Sequence, residues 1–85
     1  MSLRLLWEPQ ALEDLAAAAE WSQLQARAVV QAMERMAELG WSLGKSTGMR
    51  DERYWPVRPL GVFYRVAGPS LMVMRVIDLR RWIAP

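Results

Sequence analysis

The fold is decided by residues 53–78, which read RYWPVRPLGVFYRVAGPSLMVMRVID. Apolar, β-branched and aromatic residues dominate three runs of this stretch, at 53–57, 62–66 and 71–78, a composition typical of strands. Two segments that contain both glycine and proline, 58–61 and 67–70, separate these runs and predict turns. Because short connections join antiparallel neighbours, the stretch predicts a three-stranded antiparallel meander.

The residues before the meander predict one more strand and a pair of helices. Residues 3–7 form a short, imperfectly alternating run that we interpret as a strand. Helices are expected over 10–22 and 24–39, with Pro9 in the first turn and Gly40 as the stop. Residues 41–52 are expected to form a loop. The order is therefore β-α-α-β-β-β, an α+β fold in which a helical hairpin packs on one face of a small, mainly antiparallel sheet.

Each predicted helix carries an apolar face. In the first helix Leu12, Leu15, Ala16 and Ala19 lie on one stripe, and Trp21 points away from it. The second helix has a wider apolar face, made of Ala26, Val29, Val30, Met33, Met36 and Ala37.

The last strand is apolar on both sides of its predicted alternation. One side carries Leu71, Val73 and Ile77, and the other carries Met72, Met74 and Val76. A sheet that is apolar on both faces needs cover on both, and a single hairpin covers only one. Two explanations stay open. A partner protein supplies the second cover, or the tail with Trp82 and Ile83 folds over that face.

Composition restricts the chemistry. The chain has 85 residues, 53% of them hydrophobic, and contains neither cysteine nor histidine. This length suits a single domain over residues 1–85 with one modest core. Thiolate zinc sites and histidine bases are excluded, and we expect neither a metal nor a cofactor. The amino-terminal segment is charged too early for a signal peptide, and no apolar run is long enough for a membrane span, so we expect a cytoplasmic protein.

Charge is distributed unevenly along the chain. Residues 1–43 hold three basic and six acidic side chains, a net charge of −3, whereas residues 44–85 hold eight basic and three acidic ones, a net charge of +5. Arg58, Arg65, Arg75, Arg80 and Arg81 make the second half a candidate surface for nucleic acid or for an acidic protein, or simply a solvated face. For Asp78 we expect a salt bridge to one of the two arginines that follow it.

Three segments now resemble a known family. Residues 7–15 read WEPQALEDL, residues 62–66 read VFYRV and residues 74–81 read MRVIDLRR. Together they resemble the opening, the central strand and the last strand and turn of the RelE/ParE superfamily of toxins. Glu8 stands where the family usually has a serine or threonine cap. The resemblance spans nearly the whole chain and implies one half of a type II toxin–antitoxin pair.

The superfamily divides into two functional branches. RelE-like toxins cut mRNA on the ribosome with a basic site, whereas ParE-like toxins lack that site and poison DNA gyrase. Arg81 matches the arginine after the last strand. Gly61 falls where RelE-like enzymes place an arginine, and residues 53–57 lack that branch's lysines. The resemblance is therefore closer to ParE, although Asp78 stands where that branch often has histidine.

The resemblance implies partners and site residues. As a ParE-like toxin, the chain would bind DNA gyrase or another type II topoisomerase through Arg65, Arg75, Arg80, Arg81 and Trp82. A cognate antitoxin would bind through Trp21, Trp55, Met72 and Met74. The alternative is a RelE-like, ribosome-dependent mRNA endonuclease that uses Arg58, Arg65 and Arg81. A third interpretation is a decayed toxin that only binds an antitoxin.

Overall fold

The computed structural model describes residues 2–40, 45–48 and 51–82. In chain order the elements are β1 (Arg4–Trp7), α1 (Pro9–Trp21), α2 (Gln23–Leu39), β2 (Lys45–Ser46), β3 (Glu52–Val57), β4 (Leu60–Ala67), β5 (Ser70–Asp78) and α3 (Leu79–Trp82). The predicted α+β class and the β-α-α-β-β-β order are confirmed. Two short elements are additional, because β2 lies within the predicted loop and α3 follows the last strand.

The strands form one five-stranded sheet with the order β1-β5-β4-β3-β2. β1 runs parallel to β5, and the other neighbours are antiparallel, so the predicted mainly antiparallel sheet is correct. Both turns have two residues, fewer than the four expected, because the strands pair up to Val57↔Leu60 and Ala67↔Ser70. A cis peptide bond joins Arg58 and Pro59 in the first turn.

Ser22 separates the two helices. Its backbone is extended, with φ −160° and ψ 101°, and its Oγ accepts a hydrogen bond from the Gln25 N–H at 3.1 Å. A serine in this position satisfies one of the free N–H groups at a helix start, so α2 begins at Gln23, one residue before the expected start at 24. Gly40 ends α2 with φ 74°, a left-handed conformation that glycine adopts without strain, as predicted.

The core lies between the helical hairpin and one face of the sheet, the inner face. The apolar face of α2 is as predicted, except that Val30 is only half-buried. The face of α1 was predicted only in part, since Leu15 and Ala19 pack against the core as expected. Leu12 is 51% exposed and Ala16 is exposed, while the buried residues are Ala11 and Ala18. Asp14 lies on the same side as these alanines and bonds to β5, so the observed rotation of α1 places this carboxylate, rather than Leu12, against the sheet.

A β-bulge in β5 changes which side chains share a face. Phe63 pairs with Arg75 and Tyr64 pairs with Val73, so Met74 is an extra residue without an opposite partner. Val76 therefore joins Leu71 and Val73 in the core, and Ile77 moves to the opposite face. The predicted grouping of Ile77 with Leu71 and Val73 is thus wrong, because it assumed uninterrupted alternation.

The opposite face of the sheet, the outer face, is apolar and half-exposed. The register places five side chains of intermediate exposure on it, namely Leu6, Tyr54, Phe63, Met72 and Ile77. Both helices of the hairpin lie on the inner face. Of the described residues beyond β5, Leu79 reaches a corner of the outer face beside Gly61. The possible cover by Ile83 lies outside the described residues.

Candidate functional site

A cleft of about 280 Å³ opens between α1 and the carboxyl-terminal half of β5, and we call it the α1–β5 cleft. It lies at the end of β5, where α3 begins. Apolar and aromatic groups form its walls, and charged groups form its rim. The walls are Ala17, Ala18, Trp21, Leu60, Val76 and Ile77, and the rim is Asp14, Arg75, Asp78 and Arg81.

Asp14 joins α1 to the bulged part of β5. Its Oδ2 accepts hydrogen bonds from Arg75 Nε at 2.8 Å and from the Val76 N–H at 2.9 Å. Gln10 Nε2, one turn earlier on the helix, donates to Oδ1 at 3.1 Å. Burial by itself would raise the pKa of Asp14, but the bonds from Arg75, Val76 and Gln10 outweigh burial and hold that pKa below its ordinary value. Asp14 therefore stays ionised beside its arginine.

Asp78 and Arg80 form a second ion pair where β5 becomes α3. Both carboxylate oxygens take part, with Arg80 Nε 3.0 Å from Oδ1 and Nη2 2.8 Å from Oδ2. Oδ1 also accepts the Arg80 backbone N–H at 3.0 Å. The hydrogen bond from Arg80 lowers the pKa of Asp78, and the nearby charge of Arg81 adds to the effect. The predicted salt bridge of Asp78 to a following arginine is confirmed.

Arg80 also contacts Trp21 at the end of α1. The guanidinium carbon lies 4.6 Å from the centre of the indole ring, within cation–π range. Trp21 is 46% exposed, consistent with its predicted position off the apolar stripe. One residue expected to bind an antitoxin thus lies against one expected to bind the target.

Arg81 is the charged side chain of the cleft rim that remains available to bind a partner. It is exposed and makes no hydrogen bond or ion pair with the residues that the structure describes. Asp14 is paired with Arg75, and Asp78 is paired with Arg80. The charges of these four groups cancel, so Arg81 leaves the cleft region with one net positive charge.

The predicted arginines do not all lie at one place. Arg58 occupies the turn before β4, close to α3, since the Leu79 N–H donates to the Pro59 carbonyl at 2.9 Å. Arg65 lies near the opposite end of β4, where it pairs in register with Met72 of β5 and Glu52 of β3. At about 3.4 Å per residue, five residues of strand place Arg65 about 17 Å from Leu60 and hence far from α3. The side chain of Trp82 lies outside the described part of the chain.

The residues expected to bind an antitoxin also fall on different surfaces. Trp55 packs against the core on the inner face, whereas Met72 belongs to the outer face. Met74 is the extra residue of the bulge, and Trp21 borders the cleft. These four side chains do not form a single docking patch.

Gly61 is enclosed by its neighbours on the outer face. A Cβ atom at this position would lie 2.7 Å from Tyr54 Cε1, 2.9 Å from Tyr54 Oη and 3.0 Å from Leu79 Cδ2. These separations are shorter than van der Waals contact. Any side chain at position 61 would have to displace the Tyr54 ring.

Two contacts between distant parts of the chain were missed by reasoning from the sequence. Asp14 belongs to the 7–15 segment that suggested the family, but its partner Arg75 is 61 residues away in the chain. Gln25 Nε2 donates to the carbonyls of Val57 at 3.0 Å and Arg58 at 2.8 Å, and so ties the start of α2 to the β3–β4 turn. Neither partnership follows from a local pattern.

The described residues contain neither a metal-binding cluster nor a helix that could span a membrane. Over 2–40, 45–48 and 51–82 there is no cluster of three or more histidine, cysteine, aspartate or glutamate side chains able to hold a metal ion. In the same part of the chain, every helix is too short or too polar to cross a bilayer.

Comparison with known proteins agrees with this architecture. Two solved structures resemble the chain, although their low identities make this a likeness of fold alone. One comes from the chromosomal ParDE toxin–antitoxin system of P. aeruginosa, with a TM-score of 0.75 and 17% identity over 91% of this chain and 96% of that one. The other comes from the E. coli DinJ–YafQ toxin–antitoxin complex, with a TM-score of 0.69 and 11% identity over 99% of this chain and 100% of that one.

The comparison of sequences decides the family. No curated protein matches the chain. The family model for the ParE toxin of the type II toxin–antitoxin system parDE, however, matches residues 5–81. That match runs from β1 to α3 and includes all three segments that suggested the RelE/ParE superfamily. This chain therefore belongs to the ParE toxin family of type II toxin–antitoxin systems.

Proposed function

We propose that this chain is a non-enzymatic toxin that inhibits DNA gyrase or a related type II topoisomerase in the cytoplasm, and that a cognate antitoxin neutralises it. Membership of the ParE toxin family supports the antitoxin partner and favours the topoisomerase over the ribosome as the target. The two similar solved structures both belong to toxin–antitoxin systems, and this agrees with a partner that binds the toxin directly.

The observation that carries the choice of target is the packing around Gly61. This is the position where the resemblance places a basic catalytic residue in RelE-like enzymes. Here Tyr54 and Leu79 occupy the space that such a side chain would need, at 2.7–3.0 Å from a Cβ atom. Stabilising the charge that develops during RNA cleavage requires preorganised cations at the reacting phosphate. The filled position argues against that chemistry.

The placement of the remaining arginines supports the same choice. The RelE-like alternative uses Arg58, Arg65 and Arg81. Arg65 lies about 17 Å along β4 from the end of the sheet where the turn with Arg58 adjoins α3. Arginines at this separation would converge on a single phosphodiester only with both side chains fully extended toward each other. Binding a protein surface places no such demand, because contacts distributed over an interface all contribute.

We assign the target-binding end to α3. Asp78 and Trp21 fix the position of the Arg80 side chain. Arg81 is exposed and makes no hydrogen bond or ion pair with the described residues. Arg65 lies near the opposite end of β4, and Arg75, although it borders the same cleft as Arg81, is already paired with Asp14. The target contact is therefore centred on Arg81, with Arg80 as its neighbour.

A supercoiling assay with purified gyrase and relaxed plasmid tests the proposal. We expect the protein to inhibit supercoiling, and we expect Arg81→Gln to reduce that inhibition at least about tenfold, as for loss of a central charged contact. Arg58→Gln is the matched control, since it removes one exposed arginine from a nearby turn. It should leave inhibition within about twofold of the parent protein.

A ribosome assay tests the rival function on the same preparation. The protein is added to translating ribosomes, and the 5′ ends of the mRNA are mapped. We expect no cuts at the ribosomal A site. Such cuts, together with unchanged gyrase activity, would exclude the proposed function and establish the RelE-like alternative. Inactivity in both assays would indicate a decayed toxin.

A further inference from the structure

The start of α3 is anchored to the turn between β3 and β4. The N–H of Leu79, the first residue of α3, donates to the Pro59 carbonyl at 2.9 Å. The Leu79 side chain lies over Gly61, with Cδ2 3.0 Å from the position that a Cβ would take there. The direction in which α3 leaves the sheet, and with it the position of Arg81, therefore depends on this turn.

The turn is held in its own right by a side chain from α2. Gln25 Nε2 donates to the Val57 carbonyl at 3.0 Å and to the Arg58 carbonyl at 2.8 Å. Because both acceptors are carbonyl oxygens, only the amide nitrogen of Gln25 can face them, and its two protons serve one carbonyl each. These two carbonyls directly precede that of Pro59, which accepts the hydrogen bond from α3.

Gln25 is itself fixed in place at the junction of the two long helices. Its backbone N–H donates to Ser22 Oγ at 3.1 Å. Trp21, on the other side of this junction, contacts Arg80 of α3, with the guanidinium carbon 4.6 Å from the ring centre. The junction therefore reaches α3 by two routes, directly through Trp21 and through the turn by way of Gln25.

The turn does not need Gln25 in order to satisfy its backbone groups. Arg58 is exposed, so water can take the place of the Gln25 amide at its carbonyl. Removing that amide should therefore change the stability of the whole fold little and the order of the turn more. A bond with these properties is suited to positioning the element that follows.

We infer that Gln25 is a positioning residue for the target-binding end, and that it holds the β3–β4 turn so that α3 presents Arg81 to the target. This role rests on the proposed function, in which α3 binds the topoisomerase. Gln25 acts through the turn and α3 and makes no contact with the target itself.

Hydrogen exchange of backbone amides, followed by NMR, tests the positioning without the target. Gln25→Met removes the amide donor and keeps the length of the side chain. It should accelerate exchange at Leu79 at least about tenfold more than at Val62 in the core, because the turn opens locally. A fall in overall stability would accelerate both amides together. Gln31→Met, the same change at an exposed position about 9 Å further along α2, should alter both by equal factors.

The supercoiling assay tests the consequence for the target. Gln25→Met should reduce inhibition of gyrase at least about fivefold, whereas Gln31→Met should leave it within about twofold of the parent protein. Because Gln25 acts through Arg81, adding Gln25→Met to Arg81→Gln should reduce inhibition by less than about a further twofold. Circular dichroism of each variant shows that the fold is retained.

Three results would overturn the inference. They are equal acceleration of exchange at Leu79 and Val62 in Gln25→Met, unchanged inhibition of gyrase by that variant, and full additivity of Gln25→Met with Arg81→Gln. A parent protein that does not inhibit gyrase would instead remove the proposed function. A selective response of Leu79 to Gln25→Met would then still establish that Gln25 positions α3.

Discussion

Replacing Asp14 tests what holds α1 in its observed rotation against the sheet. Asp14→Ala removes the acceptor of the Val76 N–H, and Val76 is only 5% exposed, so the lost bond costs about 1–3 kcal/mol. The ion pair with Arg75, whose side chain is 51% exposed, adds only about 0.2–1 kcal/mol. The higher helix propensity of alanine offsets at most about 0.7 kcal/mol of this loss of stability. The net loss is therefore about 2 kcal/mol.

Two further variants separate the backbone bond from the ion pair. Asp14→Asn keeps an oxygen acceptor for Val76 and loses only the charge, so it should cost about 0.5–1 kcal/mol. Arg75→Gln leaves the Asp14–Val76 bond intact and should cost less than about 1 kcal/mol. The predicted order of destabilisation is Asp14→Ala, then Asp14→Asn, with Arg75→Gln equal to or below the latter.

Urea denaturation at neutral pH, followed by circular dichroism, measures these differences. Thermal unfolding gives an independent value, since about 2 kcal/mol corresponds to a fall in Tm on the order of 10 °C for a domain of this size. If Arg75→Gln were as costly as Asp14→Ala, the ion pair and not the backbone bond would join α1 to β5. A cost below about 0.5 kcal/mol for Asp14→Ala would refute the reasoning altogether.

Three other predictions follow from the packing and the charges. Gly61→Ala should destabilise the protein by about 1–3 kcal/mol, and adding Tyr54→Ala should cost less than the sum of the two changes, as measured by a double-mutant cycle in urea. Leu15→Ala should lower the free energy of unfolding by about 2 kcal/mol, whereas Leu12→Ala should change it by less than about 0.5 kcal/mol; equal losses would contradict the observed rotation of α1. Burial alone would raise the pKa of Asp14, but the bonds from Arg75 and the Val76 N–H lower that pKa in the folded state. The contribution of Asp14 to the free energy of unfolding is therefore present above its ordinary pKa of about 3.8 and is lost as the pH falls through the folded pKa. The stability difference between the parent and Asp14→Asn should therefore shrink in acid, and a difference that grew there would contradict the sign of the shift.

The elements of the fold were predictable because their signals are local. The strand runs of the meander, the stop at Gly40 and the apolar face of α2 each follow from the properties of consecutive residues. The family was predictable for the same reason, since its three segments occur in the expected order. The capping hydrogen bond of Ser22 is local too, and the observed start of α2 lies within one residue of the expected one.

The candidate site was predicted only in part. The salt bridge of Asp78 links residues two positions apart, so it could be predicted from the sequence. The contact between Trp21 and Arg80 joins the end of α1 to α3, and no sequence pattern indicated that these residues meet. The residues expected to bind an antitoxin lie on different surfaces, because they were chosen by residue type without knowledge of the face that each strand position occupies.

By itself, the sequence determined the α+β class, the order of the elements and the family, since these depend on periodicity, turn residues and short motifs. Only the tertiary structure decided the rotation of α1 and the bulge at Met74, because both are set by contacts between residues distant in the chain. In the observed rotation of α1, Asp14 bonds to β5 while Leu12 stays exposed. The bulge places Ile77 on the outer face instead of the core side. The α1–β5 cleft brings together residues of α1, β4, β5 and α3, so its lining could be assigned only from the packing and not from any motif.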